Sequence, residues 1–325
     1  MKDSEIARVV AGTLDGLSGL RVQVEVDLAR SLPGFHLVGL PGTAIRESRE
    51  RVGAALRHAG FRWPDRRITV SLAPADLPKE GAGMDLAIAA GILLASKQIP
   101  CASPALLERT LLVGELALDG TLRPVRGLLA LVLDAAQLGV DRLVVPFEQL
   151  EEVDAARATR RVGLGHLREL PEAIRALEKL RVTRNSFPAA GAEQESDELD
   201  LSQVKGQEEA KRALSLAAAG GHHMLMVGPP GCGKTMLAHR LCSLLPALSC
   251  EQRAERLRVE SCAGLAIDLR RATRPPFRAP HHTVTGAGLT GGGRPPRPGE
   301  VTLAHRGVLF LDEAAEFDGH VLDRL

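Results

Sequence analysis

The 325-residue chain has no tyrosine, one tryptophan and seven phenylalanines. Proteins that hold single-stranded nucleic acid by stacking bases need aromatic rings at the surface, so this scarcity directs any nucleic-acid contact towards phosphate. The five cysteines (Cys101, Cys232, Cys242, Cys250 and Cys262) are odd in number and contain no Cys-x-x-Cys pair, which points to free thiols in a reducing compartment. No apolar run approaches the roughly 18 residues of a membrane span. The opening MKDSEIARVV also lacks the basic-then-apolar layout of a secretory signal, so a cytoplasmic location is expected. Nor is there a charge excess: 41 basic against 40 acidic side chains exclude a globally polycationic coat but leave room for a local basic patch.

What is present is the composition of an ordinary globular protein, 45% hydrophobic and 25% charged, at a length that suggests about two domains. One stretch, NSFPAAGAEQESDELD, is small, polar and acidic with little to bury. It sets the expected organisation: a domain over 1–181, a linker over 182–200 and a second domain over 201–325. In the first, RVQVEVDL and RITVSLA alternate as half-buried strands do, while TAIRESRERVGAALRHAG and MDLAIAAGILLAS carry helical patterns. TLLVGELALDG, GLLALVLDAAQLG and DRLVVPF then read as strand, helix, strand, giving a mixed α/β domain.

After the linker, HHMLMVGPPGCGKTMLAHRLCSLLP reads as an apolar strand, a glycine-rich turn and a helix. GPPGCGKT (Gly228, Pro229, Pro230, Gly231, Cys232, Gly233, Lys234, Thr235) fits G-x-x-x-x-G-K-[ST] in the strand-to-helix context that motif requires. Glycines let the backbone curl into a concavity of N–H donors at a helix N-terminus, where phosphates bind. Lys234 is expected to reach the β- and γ-phosphates of ATP, and the Thr235 hydroxyl to hold Mg²⁺. A glycine turn that binds nothing is the alternative. Downstream, GVLFLDEAAEF offers an apolar strand, Val308 to Leu311, ending in Asp312 and Glu313. Two carboxylates there are costly unless a cation meets them. Asp312 is expected on the metal and Glu313 beside the attacking water as general base.

Between Lys234 and Asp312 lie more residues than one helix and one strand need. Residues 251–306 hold ten arginines against five acids, a local basic patch that is either a solvated face or a phosphate-contacting loop. His281 and His282 fall here. Adjacent strand positions point to opposite faces, and no partner stands at zinc-ligand spacing, so structural or substrate-facing roles outrank a metal. His222 and His223 read as surface.

DLSQVKGQEEAKRAL, GPPGCGKT, FRAPHHT, the glycine run, PRPGE and LAHRGVLFLDEAAEF occur in that order and together resemble the magnesium-chelatase-like AAA+ ATPases of the ComM/YifB type. The resemblance places Gly206 and Gln207 near adenine. It implies a hairpin-like insert facing the pore of a hexameric ring, with DNA as the threaded substrate and branch migration during recombination of incoming DNA as the role; in the basic stretch Arg278, Arg294 and Arg297 are the candidate DNA-facing residues. PKEGAGMDLAIAAGIL and VGELALDGTLRPVRGLLALVLDAAQLGVDRLVVP resemble the peptidase domain of Lon, but Gly83 and Leu129 stand at the places of its serine and lysine. Neither can attack a carbonyl or take a proton. A non-proteolytic domain for assembly or partner binding is expected, with Lys79 a surface charge. The implied fold is α/β: a Lon-protease-like α+β domain followed by an incomplete P-loop AAA+ core with a doubly wound parallel sheet.

The sequence stops about a dozen residues after Asp312. Sensor, arginine finger and helical lid are expected to be missing, ATP turnover to be poor, and an apolar sheet edge to be left open. A magnesium-chelatase motor subunit for metal insertion and a non-hydrolysing adaptor are the rival readings.

Overall fold

The structure is a computed structural model that describes residues 6–77, 79–100, 103–155, 160–179, 200–293 and 296–325. The chain divides into two compact units, one of residues 1–187 with 261–265 and one of 188–260 with 266–325. Of the linker expected over 182–200, all but Asp200 lies outside the described residues.

The first unit contains β1 (Ala7–Asp15), β2 (Ser18–Ala29), β3 (Gly34–Val38), β4 (Arg67–Ala73), β5 (Thr110–Leu112), β6 (Glu115–Leu116), β7 (Leu122–Arg123), β8 (Arg142–Pro146) and β9 (Arg160–Leu164). Seven of them form one sheet in the order β3-β4-β2-β1-β5-β8-β9, while β6 and β7 pair separately. β2 is antiparallel to β1 and β4, and the remaining four pairings of the large sheet are parallel.

Sequence alternation explains which face is buried. Val22, Val24 and Val26 of β2 and Ile68, Val70 and Leu72 of β4 are buried, and the register sets Val24 opposite Leu72 and Val26 opposite Val70. Over that face lies the helix Asp85–Ala95, which contacts both β1 and β2. Its residues 85–93 are all buried, so it is apolar all round rather than striped. Each leucine or isoleucine it buries contributes about 1.5–3 kcal/mol. Its one charge, Asp85, is met by Arg51 in a fork of 2.7 and 3.0 Å and by the Leu116 N–H at 3.3 Å. Burial nevertheless outweighs the pull of Arg51 and lifts the Asp85 carboxyl to about 6.

The second unit is built differently. β10 (Phe277–Arg278) runs parallel to β11 (Val308–Leu309), and this two-stranded ladder is all the described residues show of the wide doubly wound sheet expected. The strand expected over Val308 to Leu311 is also shorter, although Phe310 N–H still donates to Arg278 O at 2.8 Å. Pro276 and Pro280 flank β10 and remove ladder donors, which limits what can pair with it. Residues 224–227, expected as a strand, alternate in burial as a strand does but have no ladder partner among the described residues. Met224 and Met226 pack on Val204, Leu214 and Leu237, while Leu225 and Val227 are 82% and 88% exposed. Among the described residues no helix is long and apolar enough to cross a membrane.

Candidate functional site

The helix Lys234–Leu244 starts directly after the glycine-rich turn, with Gly233 as its N-cap and no side chain capping it. An uncapped helix start presents free N–H groups and a positive dipole end. The turn depends on two glycines in particular. Gly233 has φ +91°, a conformation that side chains disfavour, and a Cβ on Gly228 would meet Cys232 Sγ at 2.9 Å. Cys232 therefore fills the space that Gly228 leaves.

Lys234 Nζ donates to the carbonyls of Gly228 at 2.9 Å and Pro229 at 3.1 Å, and lies 3.9 Å from Cys232 Sγ. The lysine is thus folded over its own loop. Gln207 Nε2 donates to the Cys232 carbonyl at 2.9 Å, which brings the Gly206–Gln207 pair against the same loop. Both residues have positive φ, +67° and +61°. This left-handed pair turns the chain into the helix Glu208–Gly220, and its strain at Gln207 is borne by a non-glycine residue.

From the other side of the sequence, the Thr235 hydroxyl donates to Asp312 Oδ2 at 2.8 Å. Glu313 follows, exposed, with φ +52° and its N–H donating to Asp312 Oδ1 at 3.1 Å. The structure therefore brings Lys234, Thr235, Asp312 and Glu313 into one place, along with Gln207. Thr235 and Asp312 offer hard oxygen donors suited to a divalent cation.

Four arginines of the basic stretch have acidic partners. Arg278 forms a fork with Glu300 at 2.6 and 2.8 Å, and this carboxylate raises the arginine's pKa. Arg256 bonds Glu260 at 2.8 Å, Arg306 and His305 share Glu255 at 2.9 Å each, and Arg271 lies 3.7 Å from Asp268. Arg297 is exposed at the base of a turn in which its N–H and carbonyl both bond Gly292, at 2.9 and 3.0 Å; Arg294 lies outside the described residues. The pairing of Arg278 with Glu300, 22 positions apart, is not visible to a count of charges.

The histidine geometry corrects an expectation. His281 and His282 do not point to opposite faces; their rings lie 4.0 Å apart, because β10 ends at Arg278 and the chain turns at 282–283. His281 Nδ1 bonds Thr283 Oγ1 at 3.0 Å, and His282 meets Phe317 edge-on at 6.5 Å. Among the described residues no group of three histidine, cysteine or acidic side chains is placed to hold a metal ion. His222 and His223 are exposed.

In the first unit, a Cβ on Gly83 would touch Val125 and Val113 at 3.5 and 3.7 Å, and Leu129 is fully buried. These positions are apolar. Lys79 is not the surface charge expected: it is fully buried, its Nζ donates to the Pro74 carbonyl, and burial lowers its pKa. Its backbone is held by a distant stretch of the chain: its N–H donates to Leu40 O at 3.3 Å and its carbonyl accepts from Gly42 N–H at 2.7 Å.

Comparison with known proteins adds an independent line. The family model "Magnesium chelatase, subunit ChlI" matches residues 200–325, and "Subunit ChlI of Mg-chelatase" matches residues 24–149. An uncharacterized protein of Mycobacterium tuberculosis is 45% identical over 98% of this chain and 63% of its own length. YifB of Escherichia coli is 41% identical, and competence protein ComM of Haemophilus influenzae 42%, each over 95% of this chain and 60% of the relative. The chain thus spans somewhat under two thirds of these relatives. A shorter match, 32% identity over 45% of this chain and 28% of the relative, is to Lon protease 2 of Bacillus subtilis. With both halves matched by the same subunit's models and the two named relatives aligned along almost all of it, the chain belongs to the magnesium-chelatase-like proteins of the ComM/YifB type.

Proposed function

We propose that the chain is the nucleotide-binding part of an AAA+ ATPase that works on DNA, with ATP and Mg²⁺ as cofactors. The observation that carries this reading is the 2.8 Å contact between Thr235 Oγ1 and Asp312 Oδ2. Neighbouring corners of an octahedron with bonds of about 2.0–2.1 Å are about 2.9 Å apart, so these two oxygens fit adjacent positions on Mg²⁺. Thr235 and Asp312 would hold the ion, which when bound neutralises charge on the phosphates. Lys234, released from its loop carbonyls, would bind the β- and γ-phosphates beside the main-chain donors of residues 231–235. Glu313 would take the proton of the attacking water as general base, and Gly206 and Gln207 would adjoin the adenine.

For DNA, Arg294 and Arg297 are the candidate phosphate contacts, and Arg278 can join them only by leaving Glu300. A role in competence is supported by the likeness to the ComM relative. The finer reading is a hexameric ring driving branch migration of recombining DNA, with the first unit as a non-proteolytic Lon-protease-like domain, since Gly83 and Leu129 supply neither nucleophile nor base. The description of the matching family models also favours a second reading, a motor subunit for metal insertion. Calorimetry with a non-hydrolysable ATP analogue and Mg²⁺ tests the common core: uptake is expected and Lys234→Ala abolishes it. No uptake by the unaltered protein would overturn both readings. Branched-DNA binding that weakens steeply with salt selects the first.

A further inference from the structure

The first unit holds a cleft of ≈ 600 Å³ whose lining includes Arg30, Arg62, Arg66, Lys97, Asp65 and Trp63. That volume lies within the range of ordinary ligand sites. All of its lining residues belong to the first unit, and none takes part in the nucleotide site. The stretch that supplies most of the charge, FRWPDRR, carries no motif, and the scarcity of aromatics argued against base stacking anywhere in the chain.

Four cations and one carboxylate line this cleft, and among the described residues none of the four cations forms an ion pair with an acidic side chain. Elsewhere in the same unit arginines are matched: Arg8 with Glu25 at 3.0 Å, Arg51 with Asp85 at 2.7 Å, Arg109 with Asp141 at 3.2 Å. Like charges gathered on a concave wall repel one another and focus a positive field into the cleft. Apart from Asp65, the lining supplies no carboxylate to offset that repulsion.

The wall is also fixed in place. Gln98 bonds the Arg62 backbone twice, accepting from its N–H and donating to its carbonyl at 2.7 Å each, and donates to Ser96 Oγ at 2.8 Å. The helix Asp85–Ala95 ends beside this loop, but its last carbonyls do not face an incoming anion unpaired. Ile92 O accepts from Ser96 N–H at 2.9 Å, Leu93 O from Gln98 N–H at 2.9 Å, and Leu94 O from Lys97 N–H at 3.0 Å. Trp63 is anchored against Phe35, with ring centroids 6.0 Å apart, and against Gly53, yet it also lines the cleft. A half-buried indole set among unpaired cations offers a stacking surface beside phosphate-binding groups.

From this juxtaposition we infer that the cleft binds a single strand of nucleic acid, with Arg30, Arg62, Arg66 and Lys97 on its phosphates and one base against Trp63. The inference does not depend on nucleotide turnover, so it stands or falls separately from the ATPase reading.

Trp63 is the sole tryptophan and the chain has no tyrosine, so its fluorescence reports this site alone. The test titrates the full chain with a twelve-residue oligothymidylate, without ATP, and follows quenching. Four phosphate contacts on a single strand predict a log–log salt slope of about −2.8, or roughly 50-fold weaker binding at 200 mM than at 50 mM salt. Arg62→Ala or Arg66→Ala should reduce that loss to roughly 20-fold, and the double reversal Arg62→Glu with Arg66→Glu should abolish quenching. Both arginines are exposed, so the core is left intact, and an unchanged melting temperature checks this. The inference is overturned by absence of quenching, by equal binding in the reversed variant, or by tighter binding of a duplex of the same length. It is equally overturned if polyaspartate, inorganic phosphate or a mononucleotide quenches as well as the oligonucleotide does.

Discussion

Thr235 and Asp312, 77 residues apart in the chain, meet through a hydrogen bond of 2.8 Å from hydroxyl to carboxylate. If the two share one ion, Thr235→Ala and Asp312→Asn should each remove the Mg²⁺ dependence of nucleotide binding. Weaker, metal-independent uptake should remain through Lys234 and the loop amides. Calorimetry with and without Mg²⁺ checks this, and a magnesium effect unchanged in both variants would remove the pair from the metal site.

Glu313 sits beyond that pair with an exposed carboxylate and a left-handed backbone. If it is the general base, it should matter to turnover and not to affinity. Glu313→Gln is expected to lower hydrolysis by about 10²–10⁴-fold while the nucleotide dissociation constant stays within a few fold. Loss of affinity instead would make Glu313 a binding residue.

In the first unit the Arg51–Asp85 fork gives a stability prediction. Arg51→Ala leaves a buried carboxylate unpaired and should cost about 3–5 kcal/mol in chemical denaturation. Asp85 titrates at about 6 in the folded protein, above the roughly 3.9 of an unfolded chain, so between those values the folded state keeps a proton the unfolded state has lost. Stability should therefore fall as pH rises from about 4 to about 6 and level off above. Asp85→Asn should flatten that segment, and a wild-type slope of opposite sign would refute the assignment.

Arg278 and Glu300 form the corresponding fork in the second unit, with side chains 34% and 22% exposed. If the arginine serves the fold, the two alanine variants should be non-additive, with a coupling energy of about 1–2 kcal/mol in a double-mutant cycle. If it serves DNA instead, Arg278→Ala should lower the salt slope of DNA binding by about 1, with little coupling to Glu300.

How much of this was legible in the residues depends on the range of the interaction. The G-x-x-x-x-G-K-[ST] turn could be located because its signal is local: spacing fixes where Gly228, Gly233, Lys234 and Thr235 fall. The alternation of β2 and β4 was equally plain, since one buried face imposes a period of two. Partnerships across the chain were not. Nothing in a count of arginines shows that Glu300 takes Arg278, or that Glu255 takes both His305 and Arg306. Lys79 was misread because the carbonyl that satisfies it, on Pro74, is a backbone group invisible to residue typing.

The lysine folded onto the carbonyls of Gly228 and Pro229 has a consequence for ligand entry. If phosphate binds this ammonium group as proposed, it must first displace two oxygens already bonded there. Uptake would then be a swap of partners, whose net heat is smaller than the new contacts alone would suggest, and the carbonyls set free would have to find water or turn aside.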